Sequence, residues 1–376
     1  MGFSTHPNSS VLLTSLNEAI ISGTRFAGIF IGEGKMAEYD PKVSPWKLSE
    51  KDFPSTSGMI EQMKFLLGYA VLAPSSHNTQ PWKFALRDGG VIDVFTDLNG
   101  WLRVADPDQR ELNLSIGCAI ENLLIAARHF GFDPKVKYLP DANDSDYIAS
   151  IELKKSGFDL SDDNSRQFKA ITERHTNHKN FERRSIEPGV LQFLENNCSE
   201  PGISLYLTIN AEFRQKFDDL IVRSDAVTYS NPEYREELAY WIGKGVFGTS
   251  WLISQIGRLA MAYLNFGDMV MRGDEAALMS APVIGIISTT INNRINQIRA
   301  GQVFERVYLS ATSLGIGVRP MSQVCQVPEH KQELAGLLPA KGNTPLQPFL
   351  LGFAEPAKEH TPRKSVDEVM HSMIYL

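Results

Sequence analysis

Ala73-Pro-Ser-Ser-His-Asn-Thr-Gln-Pro-Trp82 is the stretch on which the reading of this 376-residue chain turns. Upstream of it Ile60, Met63, Leu67, Ala70 and Val71 recur at three- and four-residue steps, the period of a helix with one buried face. Pro74 has no N–H to donate and its ring excludes the α conformation at Ala73, so the helix is expected to run up to it and stop. Ser75, Ser76, Asn78 and Gln80 then crowd a turn, and Pro81-Trp82 leads into a strand. Each Asn or Gln amide offers two donors and an acceptor, which suits the edge of a planar, pyrimidine-like ring. Taken singly, each residue is better explained as a polar group satisfying the backbone of an ordinary helix–loop–strand connection.

Working outward, Lys83–Arg87 and Val91–Phe95 flank Asp88-Gly-Gly90, a hairpin pattern. Asp106-Pro-Asp108 reads as a turn. A helix follows from Glu111, apolar on nearly every side between Gly117 and Ala127 and therefore buried, with Gly131 as its cap. Ile148–Lys154 is expected to be a strand, and Ser156–Ser165 a polar linker. Beyond it, Ile186-Glu-Pro-Gly189 opens a helix, Ile203–Ile209 alternates like a strand, and residues 211–223 read as a helix. Pro282–Ile287 and Pro348–Phe353 read as buried strands. Residues 361–369 read as a polar stretch that turns helical.

The linker sits near the middle of a duplication. Gly117-x-x-x-Glu121, Ala127 and Gly131 recur as Gly301-x-x-x-Glu305, Ala311 and Gly315, each 184 positions on and without a gap. A repeat near half the chain length predicts two copies of one unit facing each other. The division is expected at residues 1–160 and 161–376, with 1–55 weakly specified. Ser230–Asp274, rich in Trp, Tyr, Phe and Gly, has no counterpart in the first half.

Composition excludes several classes. A net charge of −7 with no basic stripe argues against nucleic acid. Cys118, Cys198 and Cys325 form no Cys-x-x-Cys pair, so neither a zinc site nor a disulfide framework is expected. Ala27–Ile31 is too short to span a bilayer, and the apolar region Trp251–Leu264 is broken by Gln255 and Arg258, so no membrane association and a cytoplasmic location are expected. Gly28–Lys35 looks like a phosphate loop but has one residue too many between its glycines, and Met36 stands where Ser or Thr should hold magnesium. No nucleophile elbow, zinc-protease helix or nicotinamide-binding Rossmann fingerprint is present in the sequence.

The opening stretch, taken whole, resembles the A-P-S-x-x-N-x-Q-P-W signature of the nitroreductase family, which binds flavin mononucleotide (FMN). The resemblance implies flavin contacts at Ser75, Ser76, Asn78 and Gln80. Arg174-His175-Thr176 resembles the family's Arg-x-Ser/Thr segment, which grips the flavin phosphate, and Asn177 and His178 lie where the family has further polar or basic contacts. His178 stands at a position usually Arg or Lys. Arg363, followed by Lys364, resembles the basic residue that reaches the same phosphate from the C-terminal side. Val318–Gln323, containing Arg319, Pro320, Met321 and Ser322, falls where nitroreductases set backbone and side chains against the isoalloxazine ring, although the family's Gly-rich form is absent. A plain loop ending a helix explains that segment equally well. His77, His175 and His178 are expected beside the flavin or at the surface, not on a metal.

In the family, two subunits build each flavin site together. Here the Pro-Ser-x-x-Asn motif occurs only in the first half, and the Arg-x-Thr motif and basic tail only in the second. From residue 59 onward the chain therefore resembles the Acg-like branch, in which one chain folds as a pseudo-dimer. The implied fold class is α+β, a nitroreductase-like fold in two tandem copies, with antiparallel or mixed sheets surrounded by helices. The implied chemistry is hydride transfer from NADH or NADPH through FMN to a small electrophile such as a nitro or quinone compound, with no catalytic side chain. The partner expected is a small molecule, and the state a monomer (pseudo-dimer) or homodimer. In that branch the inserted segment forms a lid, so Trp241, Phe247 and Trp251 in 230–274 either shield the ring or pack the insertion onto the body. A lid that blocks turnover would make the protein a flavin-sequestering one instead.

Overall fold

A computed structural model describes residues 45–156, 161–248, 267–355, 357 and 360–371. Trp251, the look-alike phosphate loop and most of the segment 1–55 lie outside them. Helix α1 (Met59–Ala70) leads through the Pro74–Gln80 turn into the hairpin β1 (Trp82–Arg87) and β2 (Val91–Thr96). Gly89 and Gly90 have φ of +80° and +82°, a conformation that L side chains resist, so the Asp88-Gly-Gly90 turn needs both. Helix α2 (Arg110–His129) is buried from Arg110 to Ala127, and the hairpin β3 (Phe132–Tyr138) and β4 (Tyr147–Lys155) completes an antiparallel sheet of order β1-β2-β4-β3.

Helices α3 (Asp162–Glu173) and α4 (Pro188–Asn196) precede a second antiparallel sheet built from β5 (Ile203–Thr208), β6 (Val283–Thr289), β7 (Ile316–Pro320) and β8 (Thr344–Phe353). Its order, β5-β6-β8-β7, is that of the first sheet again. Helix α8 (Arg294–Ser313) stands between β6 and β7 as α2 stands between β2 and β3. The fold is thus α+β with one topology used twice.

The two copies meet along α2 and α8. A Cβ on Gly117 would lie 2.1 Å from the Ile298 carbonyl oxygen, and one on Gly301 would lie 2.1 Å from that of Leu114. These contacts exchange under the 184-residue offset, as they must if the helices cross about a pseudo-twofold axis. The Asn113 amide donates to Gln297, its own counterpart, at 2.8 Å. A single apolar core runs through both copies, joining Leu123 and Trp82 to Val303 and Phe349.

The second copy departs from the first most at the connection between its first two strands. Where β1 and β2 are joined by a three-residue turn, β5 and β6 are joined by α5 (Ala211–Ser230), α6 (Pro232–Gly243) and α7 (Gly267–Ser280). The insertion therefore starts well before Ser230, and the helix expected at 211–223 runs to Ser230. The insertion packs in part on a small cluster of Leu102, Ala105, Tyr234 and Leu238, and Trp241 belongs there.

Other expectations need correction. Helix α1 ends at Ala70, and tight turns from Tyr69 to Leu72 and from Ala70 to Ala73 fill the gap before Pro74. The polar linker is partly helix, because Ser161 caps the N-terminus of α3 by accepting from Asn164 N–H. The stretch after Gly315 is the edge strand β7, not a loop. Strand β3, with Pro134 inside it, was not expected; it too is an edge strand, where a missing N–H is tolerated.

Candidate functional site

Leu72 lies just past the end of α1, where helix carbonyls lack intrahelical partners and the helix dipole favours cations. Two arginines from the far half of the chain take up that carbonyl: Arg174 Nη2 donates at 3.0 Å and Arg363 Nη2 at 3.4 Å. Both are buried, at 2% and 4% exposure. Arg174 is delivered by the end of α3, whose following residues lie along the free edge of β7 through the Thr176–Val318 bridge and the Asn177 N–H to the Val318 carbonyl. Arg363 arrives on the segment after β8, and its guanidinium faces the Trp46 ring at 4.8 Å.

The turn of the opening motif grips that segment. The Asn78 amide donates to the Pro362 carbonyl at 2.9 Å and the Val246 carbonyl at 2.7 Å, while its oxygen accepts from Arg363 at 2.7 Å. Gln80 accepts from Lys364 N–H at 2.7 Å, and Trp46 Nε1 donates to the Thr361 carbonyl at 2.8 Å. His371 N–H then donates to Phe84 on β1 at 2.7 Å, so the tail of the second half closes the free edge of the first sheet.

These elements enclose a cleft of about 440 Å³, within the range of small-molecule sites. One end is cationic. Arg174 and Arg363 face each other's charge, and burial together with Arg174 pulls the Arg363 proton affinity well below its usual level. Among the described residues the carboxylate paired with Arg174 is Glu305 on α8, fully buried, at 3.6 Å from Nε. That contact is an ion pair without a hydrogen bond: neither Glu305 oxygen has a hydrogen-bond partner among the described residues, and burial pushes its carboxyl up to about 7 despite Arg174. Its counterpart in the first copy, Glu121, is bonded to Arg306 at 2.8 Å and to Gln302 at 3.1 Å.

Arg174 Nε, Arg363 Nε and His175 Nε2 also lack hydrogen-bond partners among the described residues. Buried donors left open are costly unless something accepts from them. Their charge and convergence fit an anion with several acceptor oxygens, such as a phosphate monoester. His175 and His360 stack at 3.7 Å between ring centroids, and Trp46 continues the pile at 3.9 Å. Burial, then His175 and the arginines, hold His360 down to about 3, so both rings face the arginines as neutral imidazoles at neutral pH.

The opposite end carries acids. Glu111 on α2 accepts from Ser76 Oγ, from Arg110 at 2.6 Å and from Gln326 at 2.9 Å. Asp274 on α7 is bonded to Arg319 and, at 2.9 Å, to Gln323. Asp225 on α5 lies beside them, with burial and then Asp274 pushing its carboxyl up to about 8. Tyr229, Tyr234 and Phe247, all from the insertion, form part of the wall.

Of the residues singled out in the sequence, Ser75, Ser76, Asn78, Arg174, His175, Thr176, His178, Arg319, Pro320, Ser322 and Arg363 line this cleft. Three do not. Gln80 donates its amide N–H to the Asn78 carbonyl and accepts from Lys364 N–H of the tail segment. Asn177 folds back on Lys179, its amide donating to that residue's carbonyl and accepting from its N–H. Met321 is fully buried in the apolar core under the second sheet. Asn78 faces the cleft, but its amide is occupied by the protein instead of awaiting a ring edge. Arg319 is tied to Asp274, which turns its charge inward. Trp46, His360, Thr361, Asp225 and Asp274 were missed. Nothing in their local sequence marks them, whereas Glu305 was visible in the repeated Gly-x-x-x-Glu pattern. Among the described residues no group of His, Cys, Asp and Glu could hold a metal, and no helix is long and apolar enough to cross a membrane.

Fold and site together define a class: a duplicated α+β chain with a cleft between its copies whose walls come from both, cationic at one end. No protein-family model matches the chain. It is 27% identical over 325 residues to the Mycobacterium tuberculosis protein named "Putative NAD(P)H nitroreductase Rv3131", spanning 82% of this chain and 91% of that one. It is 24% identical over 335 residues to "Putative NAD(P)H nitroreductase acg" of the same organism, spanning 85% and 98%. The chain thus resembles the nitroreductases in their Acg-like, single-chain form over most of its length. Among solved structures it is similar to a nitroreductase with bound FMN from Desulfitobacterium hafniense, at 15% identity and a TM-score of 0.36, over 52% of this chain and 94% of that one. An NADPH:FMN oxidoreductase from Vibrio harveyi matches at 15% identity and a TM-score of 0.37, over 56% and 78%.

Proposed function

We propose that this chain is an FMN-dependent NAD(P)H oxidoreductase of the nitroreductase kind, reducing a small electrophile such as a nitro or quinone compound. The observation that carries the reading is the pair of buried arginines, Arg174 and Arg363, which line a cleft walled by the motif of one half and the tail of the other, each with an Nε lacking a hydrogen-bond partner among the described residues. The names of the relatives point the same way. In this reading residues 1–160 and 161–376 are two copies of one unit, folded as a pseudo-dimer with one complete site.

Arg174 and Arg363 hold the flavin phosphate, with His175 Nε2 and Thr176 beside it. Each charge-assisted bond contributes about 1.5–3 kcal/mol when desolvated. Asn78 positions Arg363 and does not touch the ring. Ser75, Ser76, His178, Arg319, Pro320 and Ser322 line the remainder of the cleft, where a ring system would lie. FMN when bound supplies the redox chemistry, taking a hydride and passing electrons on. The side chains bind, orient and exclude water. Tyr229, Tyr234 and Phe247 narrow the approach, which favours small acceptors.

The same wall supports a second reading, a flavin-sequestering protein in which the insertion prevents turnover. A visible spectrum of the untreated protein, followed by excess NADH or NADPH, separates the two. Bleaching of bound flavin and recovery with a nitroaromatic or quinone supports the oxidoreductase. Flavin that stays oxidised supports sequestration, and a colourless protein that takes up no added FMN defeats both.

A further inference from the structure

The acidic end of the cleft has no use in phosphate binding, and its unusual member is Asp225. It comes from α5, part of the insertion that the first half of the chain lacks. It lines the cleft and is 2% exposed, and its Oδ2 has no hydrogen-bond partner among the described residues. Two carboxyl groups stand together here, and they are not equivalent. Asp274 is neutralised by Arg319 and held by Gln323. Asp225 has no cation bonded to it among the described residues, and the proton shared by such a pair rests on the member without one.

We propose that Asp225, backed by Asp274, is the proton donor of this cleft for acceptors whose reduction creates a new O–H bond with no group expelled, quinones and nitroso compounds. The inference rests on the oxidoreductase reading. The reduced flavin, recharged by NADH or NADPH, supplies both electrons with one hydrogen as hydride. The Asp225 O–H bond breaks as the acceptor's O–H bond forms, and the carboxylate left behind takes a proton from water. The fold sets up this exchange from several sides. Facing Asp225 are Asp274 from α7, Arg319 from β7, Tyr234 from α6 and, one turn along its own helix, Tyr229. His330, on α9 (Pro328–Leu337), bonds the neighbouring Ser224 at 2.9 Å. A hydrogen bond from Gln323 and the charge of Arg319 favour the charged form of Asp225; burial and then Asp274 oppose it and prevail.

The test compares a quinone, menadione, with ferricyanide, a one-electron acceptor that takes up no proton. In Asp225→Asn the ratio of menadione to ferricyanide turnover should fall about 100-fold, the usual scale of general acid catalysis, and Asp225→Glu should restore part of it. Wild-type menadione turnover should decline as pH rises through about 8. In Asp274→Asn, which removes the like charge, that decline should move to lower pH. An infrared carboxylic-acid band in the protein as purified, present at neutral pH and missing in Asp225→Asn, reads the same proton without turnover. A wild-type protein that reduces neither acceptor overturns the oxidoreductase reading. An active wild type whose acceptor ratio is unchanged in Asp225→Asn, or an infrared difference between wild type and Asp225→Asn that contains no carboxylic-acid band, overturns the proton donor. Should Asp225→Asn fail to fold, Asp274→Asn decides: a pH limb that does not move defeats the proposal.

Discussion

Arg174→Ala tests the cationic end most directly, because two effects of different size can be separated. The substitution removes a 3.0 Å bond to the Leu72 carbonyl and the counter-charge of Glu305. Lost with them is one charge-assisted contact to a bound phosphate, about 1.5–3 kcal/mol, which lowers FMN affinity roughly 10- to 150-fold. Stability suffers less than a stranded buried charge would imply, because Glu305 already titrates near 7 and without Arg174 keeps its proton at neutral pH. A carboxyl raised in the folded state favours folding below its ordinary value of 4.5 and loses that contribution as pH climbs through about 7. Arg174→Ala pushes this loss to higher pH. Adding Glu305→Gln removes the pH dependence without restoring the flavin. Flavin fluorescence titration and pH-dependent thermal unfolding read the two effects. Unchanged FMN affinity in Arg174→Ala would refute the phosphate assignment, and restored affinity in the double variant would show that the effect was one of folding alone.

Asn78→Ala deletes three bonds that hold the 362–363 segment and the insertion. It should weaken FMN binding roughly tenfold, the equivalent of one such bond, and speed proteolysis near residue 360 while the melting temperature moves little. Gly117→Ala drives a methyl group to 2.1 Å from the Ile298 carbonyl, so a loss of about 1–3 kcal/mol is expected in denaturant unfolding, with Gly301→Ala its equal. A change within about 0.5 kcal/mol at either glycine contradicts the close crossing. His360 is held near 3, so it contributes stability above its ordinary 6.5 that fades as pH falls toward 3. His360→Phe should flatten that acid limb in thermal scans, and an identical limb would show that the stacked pair does not govern it.

The repeat was legible because backbone contact leaves a mark that sequence can carry: Gly117 and Gly301 are glycine where two helices touch, and nothing larger fits. The helix stop before Pro74 and the Asp88-Gly-Gly90 turn were legible for the same kind of local reason. Arg174 and Arg363 stood out only through resemblance, since an isolated arginine is more often an exposed ion pair. What escaped notice depends on distant partners. Gln80 and Asn78 looked like ligand donors, yet their amides are answered by a segment some 284 residues away. Asp225 and His360 acquire their character entirely from neighbours brought up by tertiary packing, so no local pattern could announce them.

The clasp between Asn78 and the Pro362–Arg363 segment has a consequence for where the site is vulnerable. Among the described residues every strand of both sheets precedes residue 354 in the chain, so neither sheet draws a strand from the clasp. Without that segment the cationic end is one arginine short, and Trp46 loses both Arg363 and His360. The grip on an anion thus hangs on a strap outside both sheets, and a chain cleaved in the three-hundred-and-fifties would keep its strands yet lose the hold of Arg363.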